Sequence, residues 1–91
     1  MLNTVLRGLE ILKAEKFISP DTLLDGSFLL VGKDSEVDSV AFVVLVTAIE
    51  EELTEKFGRN ISIDLSLIPQ LNGNSPHFTA DEFADYISTL A

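Results

Sequence analysis

One apolar stripe constrains this chain more than any other feature. Phe42, Val43, Leu45, Val46, Ile49, Leu53 and Phe57 recur at the three- and four-residue spacing of a helix laid against a core. Gly58 stands where a C-terminal cap belongs. Capping chemistry places the start. With Asp38 as N-cap, Val37 falls at N′ and Phe42 at N4, which is the spacing of a hydrophobic staple. A competing start has Ser35 as the cap and Asp38 at N3, one turn earlier. Asp38 is preferred, and Ser39 is then the first helical residue.

The other elements are arranged around this helix. Leu2, Val5, Leu6, Leu9 and Leu12 give an amphipathic helix over residues 3–16. Gly8 weakens it by about 1 kcal/mol relative to alanine and marks a close helix contact. Ser19-Pro20-Asp21 is expected to end it, because the residue before proline is driven out of helical geometry. Residues 20–37 hold no single period, yet Leu23, Leu24, Phe28, Leu29, Leu30 and Val31 are too apolar for a solvated connection. A long loop packed onto the bundle is expected.

Residues 61–68 alternate apolar and polar, a strand signal with no second strand to pair with. They are read as extended chain or a short irregular helix. Residues 69–76, with Asn72-Gly73-Asn74, form a turn-rich loop. Thr79 and Glu82 then make a capping box, Phe78 and Phe83 a staple, and Phe83, Tyr86, Ile87 and Leu90 the core face of a last helix. The expectation is an all-α single domain over 1–91: a four-helix bundle with a long loop between helices 1 and 2 and a short or irregular third helix.

Charge narrows the function. Fifteen acidic and six basic side chains give a formal charge of −9, which repels phosphate backbones and anionic membranes and favours basic patches on protein partners. No nucleic acid is expected as a partner. There is no cysteine, so any thiol chemistry must arrive on a prosthetic group. The apolar runs are far below the roughly 20 residues of a membrane span. The N-terminal residues lack a long apolar core and a small-residue cleavage site, so no secretory signal is read there. A soluble, cytoplasmic protein is expected.

The chemically informative stretch is Val37-Asp38-Ser39-Val40. A serine in the first turn of a helix sits beside unpaired amide donors and the positive end of the dipole, a favourable place for a phosphodiester. Asp-Ser alone is also an ordinary helix start, and the wider pattern decides. Asp38-Ser39-Val40, then Val43, Leu45, Val46, Ala48 and Ile49, then Glu50-Glu51-Glu52-Leu53, resembles the signature of the acyl carrier protein family. The order of elements and a late Asp85-Tyr86-Ile87 are similar as well.

The resemblance implies that Ser39 receives 4′-phosphopantetheine from coenzyme A through a phosphopantetheinyl transferase. Asp38 would cap the helix beside the arm, and an acyl group would ride on it as a thioester. Such a protein is no enzyme: it works as a monomer, loaded and unloaded by ligases or synthases in fatty-acid, polyketide or other specialised biosynthesis. Partner contact would fall on Val40, Ala41, Val44, Ala48 and Glu51.

Three departures point to a specialised carrier. Val40 replaces the family's usual leucine. Ala41 and Val44 stand where acidic docking residues are common. The 58–79 segment is longer than usual and lacks the usual acidic stretch. By helical phase Val40, Val44 and Ala48 form a stripe away from the presumed core, either a contact surface or a face covered by residues 23–31. If a contact surface, it gives the alternative reading, an unmodified carrier-fold module that binds a partner protein there.

The remaining candidates carry little. Asp34-Ser35-Glu36 is a second Asp-Ser pair without an apolar helix directly after it. Glu50, Glu51, Glu52 and Glu55 read as a solvated face rather than a metal site, with Glu52 and Lys56 at pairing distance along the helix. His77 has no partner defined by sequence. No nucleophile–base–orienter motif, phosphate loop or metal-ligand spacing is present.

Overall fold

The protein is described from a computed structural model that covers residues 1–73 and 75–90. Helix α1 spans Leu2–Ala14 and buries Thr4, Val5, Gly8, Leu9 and Leu12. It ends earlier than its sequence suggests, and proline is not the cause. Lys16 adopts a left-handed φ of 66°. The Lys16 N–H then donates to Lys13 O at 3.0 Å and the Phe17 N–H to Leu12 O at 2.9 Å. This is a Schellman turn with lysine in the position glycine usually holds.

Helix α2, Ser39–Phe57, starts where capping places it. Asp38 is extended (φ −83°, ψ 179°), and its carboxylate accepts the Ala41 N–H at 2.7 Å. Gly58, left-handed at φ 67°, closes the other end. The buried face is narrower than the apolar stripe: Ala41, Leu45, Val46, Ile49 and Leu53 face the core, while Val43 is 61 % exposed. Val43 therefore does not belong to the core face on which its spacing placed it. Gly8 of α1 lies against Leu45 and Ile49, where a Cβ would come within 2.6 Å of a Leu45 methyl, so the glycine permits the α1–α2 approach.

The fold departs from an all-α four-helix bundle. It is mostly helical, but among the described residues it holds three α-helices and a two-stranded antiparallel pair. Strand β1, Leu29–Val31, pairs with β2, Phe78–Thr79, in the register Leu29↔Thr79 and Val31↔Phe78, with a bulge that leaves Leu30 turned into the core. The ladder continues into helix α3, Ala80–Ser88. The Ala80 N–H donates to Phe28 O at 3.0 Å and the Asp81 N–H to Gly26 O at 2.8 Å. Thus the long loop supplies acceptors for amides that a helix start leaves unpaired. The capping box is formed as expected: Glu82 accepts the Thr79 N–H at 3.0 Å, and Thr79 Oγ1 accepts the Glu82 N–H at 3.3 Å.

Between α2 and β2 the chain is extended at first, then makes 3-10 turns at Leu65–Leu67 and Pro69–Leu71. The alternation holds over 61–64, where Ile61 and Ile63 are buried and Ser62 and Asp64 exposed, and breaks at the 3-10 turns, where Leu67 is exposed and Ile68 buried. Side chains of α2 replace the missing partner strand. Thr54 Oγ1 accepts the Ile61 N–H at 3.1 Å, and Glu50 accepts the Ile63 N–H at 2.6 Å. Asn74, in the expected Asn72-Gly73-Asn74 turn, lies outside the described residues. α1 packs on both α2 and α3, and one core joins all the elements.

Candidate functional site

The geometry converges on the start of α2. Ser39 is the first helical residue and is exposed, as is Asp38. The Phe42 N–H donates to Asp38 O at 2.9 Å and the Ala41 N–H goes to the Asp38 side chain, so the Ser39 and Val40 amides precede the first helical bond. Ser35, the competing cap, is committed elsewhere. Its hydroxyl lies 2.9 Å from both Leu29 O and Leu30 O and accepts the Val37 N–H at 3.0 Å, which fixes the loop that leads into α2. Of the two Asp-Ser serines, Ser39 is the one presented to solvent at a helix start.

A cleft of about 360 Å³ opens beside Ser39. Leu30 and Val31 of β1, Val37, Phe42 of α2, Leu71 and Pro76 supply its apolar walls. Val37 and Phe42, the expected staple pair, both line it. Sequence reasoning missed this cleft, since its walls come from four separated segments. The only local signal was the apolar load of the loop before α2.

A second surface lies along the α1–α2 edge. Ile11, Val43, Val44, Thr47, Ala48 and Glu51 line a shallow groove of about 320 Å³. Ile11 is 45 % exposed, and Val40 is as open as Val43. Residues 23–31 leave Val40 and Val43 uncovered. Of the residues expected to meet a partner, Val44, Ala48 and Glu51 gather in this groove, and Val40 is exposed on the same helix. Ala41 requires correction: it is fully buried, because N3 of α2 turns into the core, and it offers a partner nothing. Ile11, Val43 and Thr47 were missed. Ile11 lies off the apolar stripe of its own helix, which was the available signal.

The glutamate run divides by task. Glu50 holds Ile63, and Glu52 takes a bidentate bond from Arg7 at 2.6 and 2.7 Å, which holds its carboxyl below the usual range. Glu52 is thus paired across to α1. Glu51 and Glu55 remain exposed. No carboxylate or histidine cluster suited to a metal ion occurs among the described residues. Another recess, of about 520 Å³, lies at the end of α1 between Lys13, Phe17, Ile18 and Glu36. Glu36 accepts the Ser19 N–H at 3.1 Å and the Thr22 hydroxyl at 2.8 Å there, so it serves the loop. Among the described residues, no helix is long and apolar enough to cross a membrane.

The site residues fit a phosphodiester-linked arm. Ser39 offers an exposed hydroxyl, the amides that open α2 suit a phosphate, and apolar walls adjoin the attachment point. Comparison with protein-family models, with curated proteins and with solved structures finds no match to this chain.

Proposed function

We propose that this chain is an acyl carrier, with 4′-phosphopantetheine attached to Ser39, and that its fold is a carrier bundle in which 3-10 turns replace the third helix. The observation that carries the proposal is the exposed Ser39 at the capped start of α2, set beside an apolar cleft. When attached, the arm supplies a terminal thiol that holds an acyl group as a thioester. The chain's own residues do the rest. Asp38 fixes the first turn, the Ser39 and Val40 amides would be the donors available to the phosphate, and the cleft walls would exclude water from an apolar group lying against them. Partner enzymes perform the chemistry, a specialised ligase or synthase among them. Coenzyme A as donor makes the cytoplasm the expected compartment.

Intact mass after incubation with coenzyme A and a broad-specificity phosphopantetheinyl transferase tests this. Wild type gains one phosphopantetheine unit and Ser39→Ala gains none. No gain with several transferases, or equal gain in the variant, overturns the proposal.

The exposed α1–α2 groove favours a second reading, an unmodified module that binds a protein through Val40, Val44 and Ala48. In that case Ser39→Ala binds the partner as well as wild type does, and Val44→Asp does not bind it.

A further inference from the structure

The cleft beside Ser39 meets the core at Phe42 and at Leu30, a wall residue that is itself fully buried. Phe42 lies three residues after Ser39, on the same side of α2, and forms a wall of the cleft. Its ring centroid is 6.3 Å from that of Phe83, which in turn lies 5.3 Å from Phe78. Phe78 and Phe83 are fully buried. Phe42 thus stands between the cleft and the aromatic centre of the core, and the rings behind it fill the route inward.

Volume turns this into a limit. A cavity of about 150 Å³ takes benzene, or about 25 Å³ per carbon. A cleft of about 360 Å³ therefore holds at most about fourteen carbons, and fewer because part of it is open mouth. Apart from Gly32 and from Asp38 and Ser39 at the attachment point, the walls are aliphatic and aromatic, so the occupant is apolar.

We infer that Phe42 sets the length of the acyl group this protein can shelter: a short or medium chain lies in the cleft, and a long one overruns it. The inference rests on the carrier reading and specifies its cargo. Phe42 is a specificity-determining residue that touches the cargo and not the arm's attachment point.

The test loads wild type and Phe42→Ala from octanoyl- and palmitoyl-coenzyme A with the transferase and follows thioester cleavage by neutral hydroxylamine. Loading, read by mass, tests the carrier reading separately. In wild type the octanoyl thioester is expected to survive several-fold longer than the palmitoyl thioester. In Phe42→Ala, checked for a cooperative melt, the palmitoyl half-life rises toward the octanoyl one. Leu71→Trp, which fills the cleft from another wall without touching the aromatic stack, shortens the octanoyl half-life. Equal half-lives for the two chains in wild type, or no change in either variant, overturn the inference. If loading fails, thermal-shift titration with octanoyl- and palmitoyl-pantetheine reads the cleft directly. Stabilisation of wild type by the shorter ligand alone then upholds the length limit, and equal or absent stabilisation refutes it.

Discussion

Asp38 does two jobs with one side chain. Its carboxylate satisfies the Ala41 amide, and its extended backbone turns the chain so that Ser39 begins the helix facing solvent. Replacing it with alanine removes the cap, and a loss of about 1 kcal/mol is expected in urea unfolding, with Asn retaining most of it. Lys16 is the reverse case, a residue in a conformation its side chain disfavours. At φ 66° a Cβ crowds the following carbonyl, at a cost of about 1–2 kcal/mol that glycine avoids. Lys16→Gly should therefore stabilise the protein by about 1 kcal/mol, and thermal melting should show a rise of several degrees. An unchanged or lowered midpoint would mean that the lysine side chain contributes something the backbone argument omits.

At the scale of elements, the segment after α2 is held by side chains rather than by a ladder. Glu50 accepts the amide of Ile63, a residue only 8 % exposed. Glu50→Ala leaves that donor without its acceptor, and a cost of about 1–3 kcal/mol is expected in denaturant unfolding. Glu50→Gln, which still offers a carbonyl oxygen, should lose less. The same contrast explains what was legible in the sequence. The starts of α2 and α3 could be read because capping and staple residues lie within four or five positions of one another. The β1–β2 pair could not: its strands hold three and two residues, and each acquires meaning only when the other is beside it. The end of α1 was hidden because nothing in the chemistry of lysine announces a left-handed turn. Ser39 was legible from its local pattern, whereas its cleft depends on distant Leu71 and Pro76. Ala41 and Val43 were misplaced because α2 is apolar over more of its circumference than the core covers, so spacing alone does not fix its phase.

For the molecule as a whole, charge is the unsettled balance. The radius of gyration of 12.4 Å is close to the roughly 12 Å expected of a folded chain this long, so a net charge of −9 is held in a small volume. Its self-repulsion is screened by salt, and raising ionic strength from about 0.01 to 0.15 M should stabilise the protein at neutral pH. Lowering the pH relieves the same repulsion, but it also removes anchors. Asp25 and Asp64 are held below the ordinary carboxyl range by hydrogen bonds from Ser27 and Ser66, Glu36 by the Ser19 amide and Thr22 hydroxyl, and Glu52 by Arg7. Each lowered value means that the folded state binds fewer protons than the unfolded state. Their stabilisation is complete above the unfolded values of about 4 and is lost as pH falls through the lower folded ones. The anchors act through short, specific bonds, while the repulsion is spread over the surface and largely screened at 0.15 M salt, so stability should fall below about pH 4. Glu36→Ala separates the two effects. It should be less stable than wild type at pH 7, and the difference should shrink in acid, where wild-type Glu36 is protonated as well. Unfolding curves measured from pH 7 to strong acid at fixed salt check this, and parallel curves would show that the Glu36 contacts do not depend on its charge.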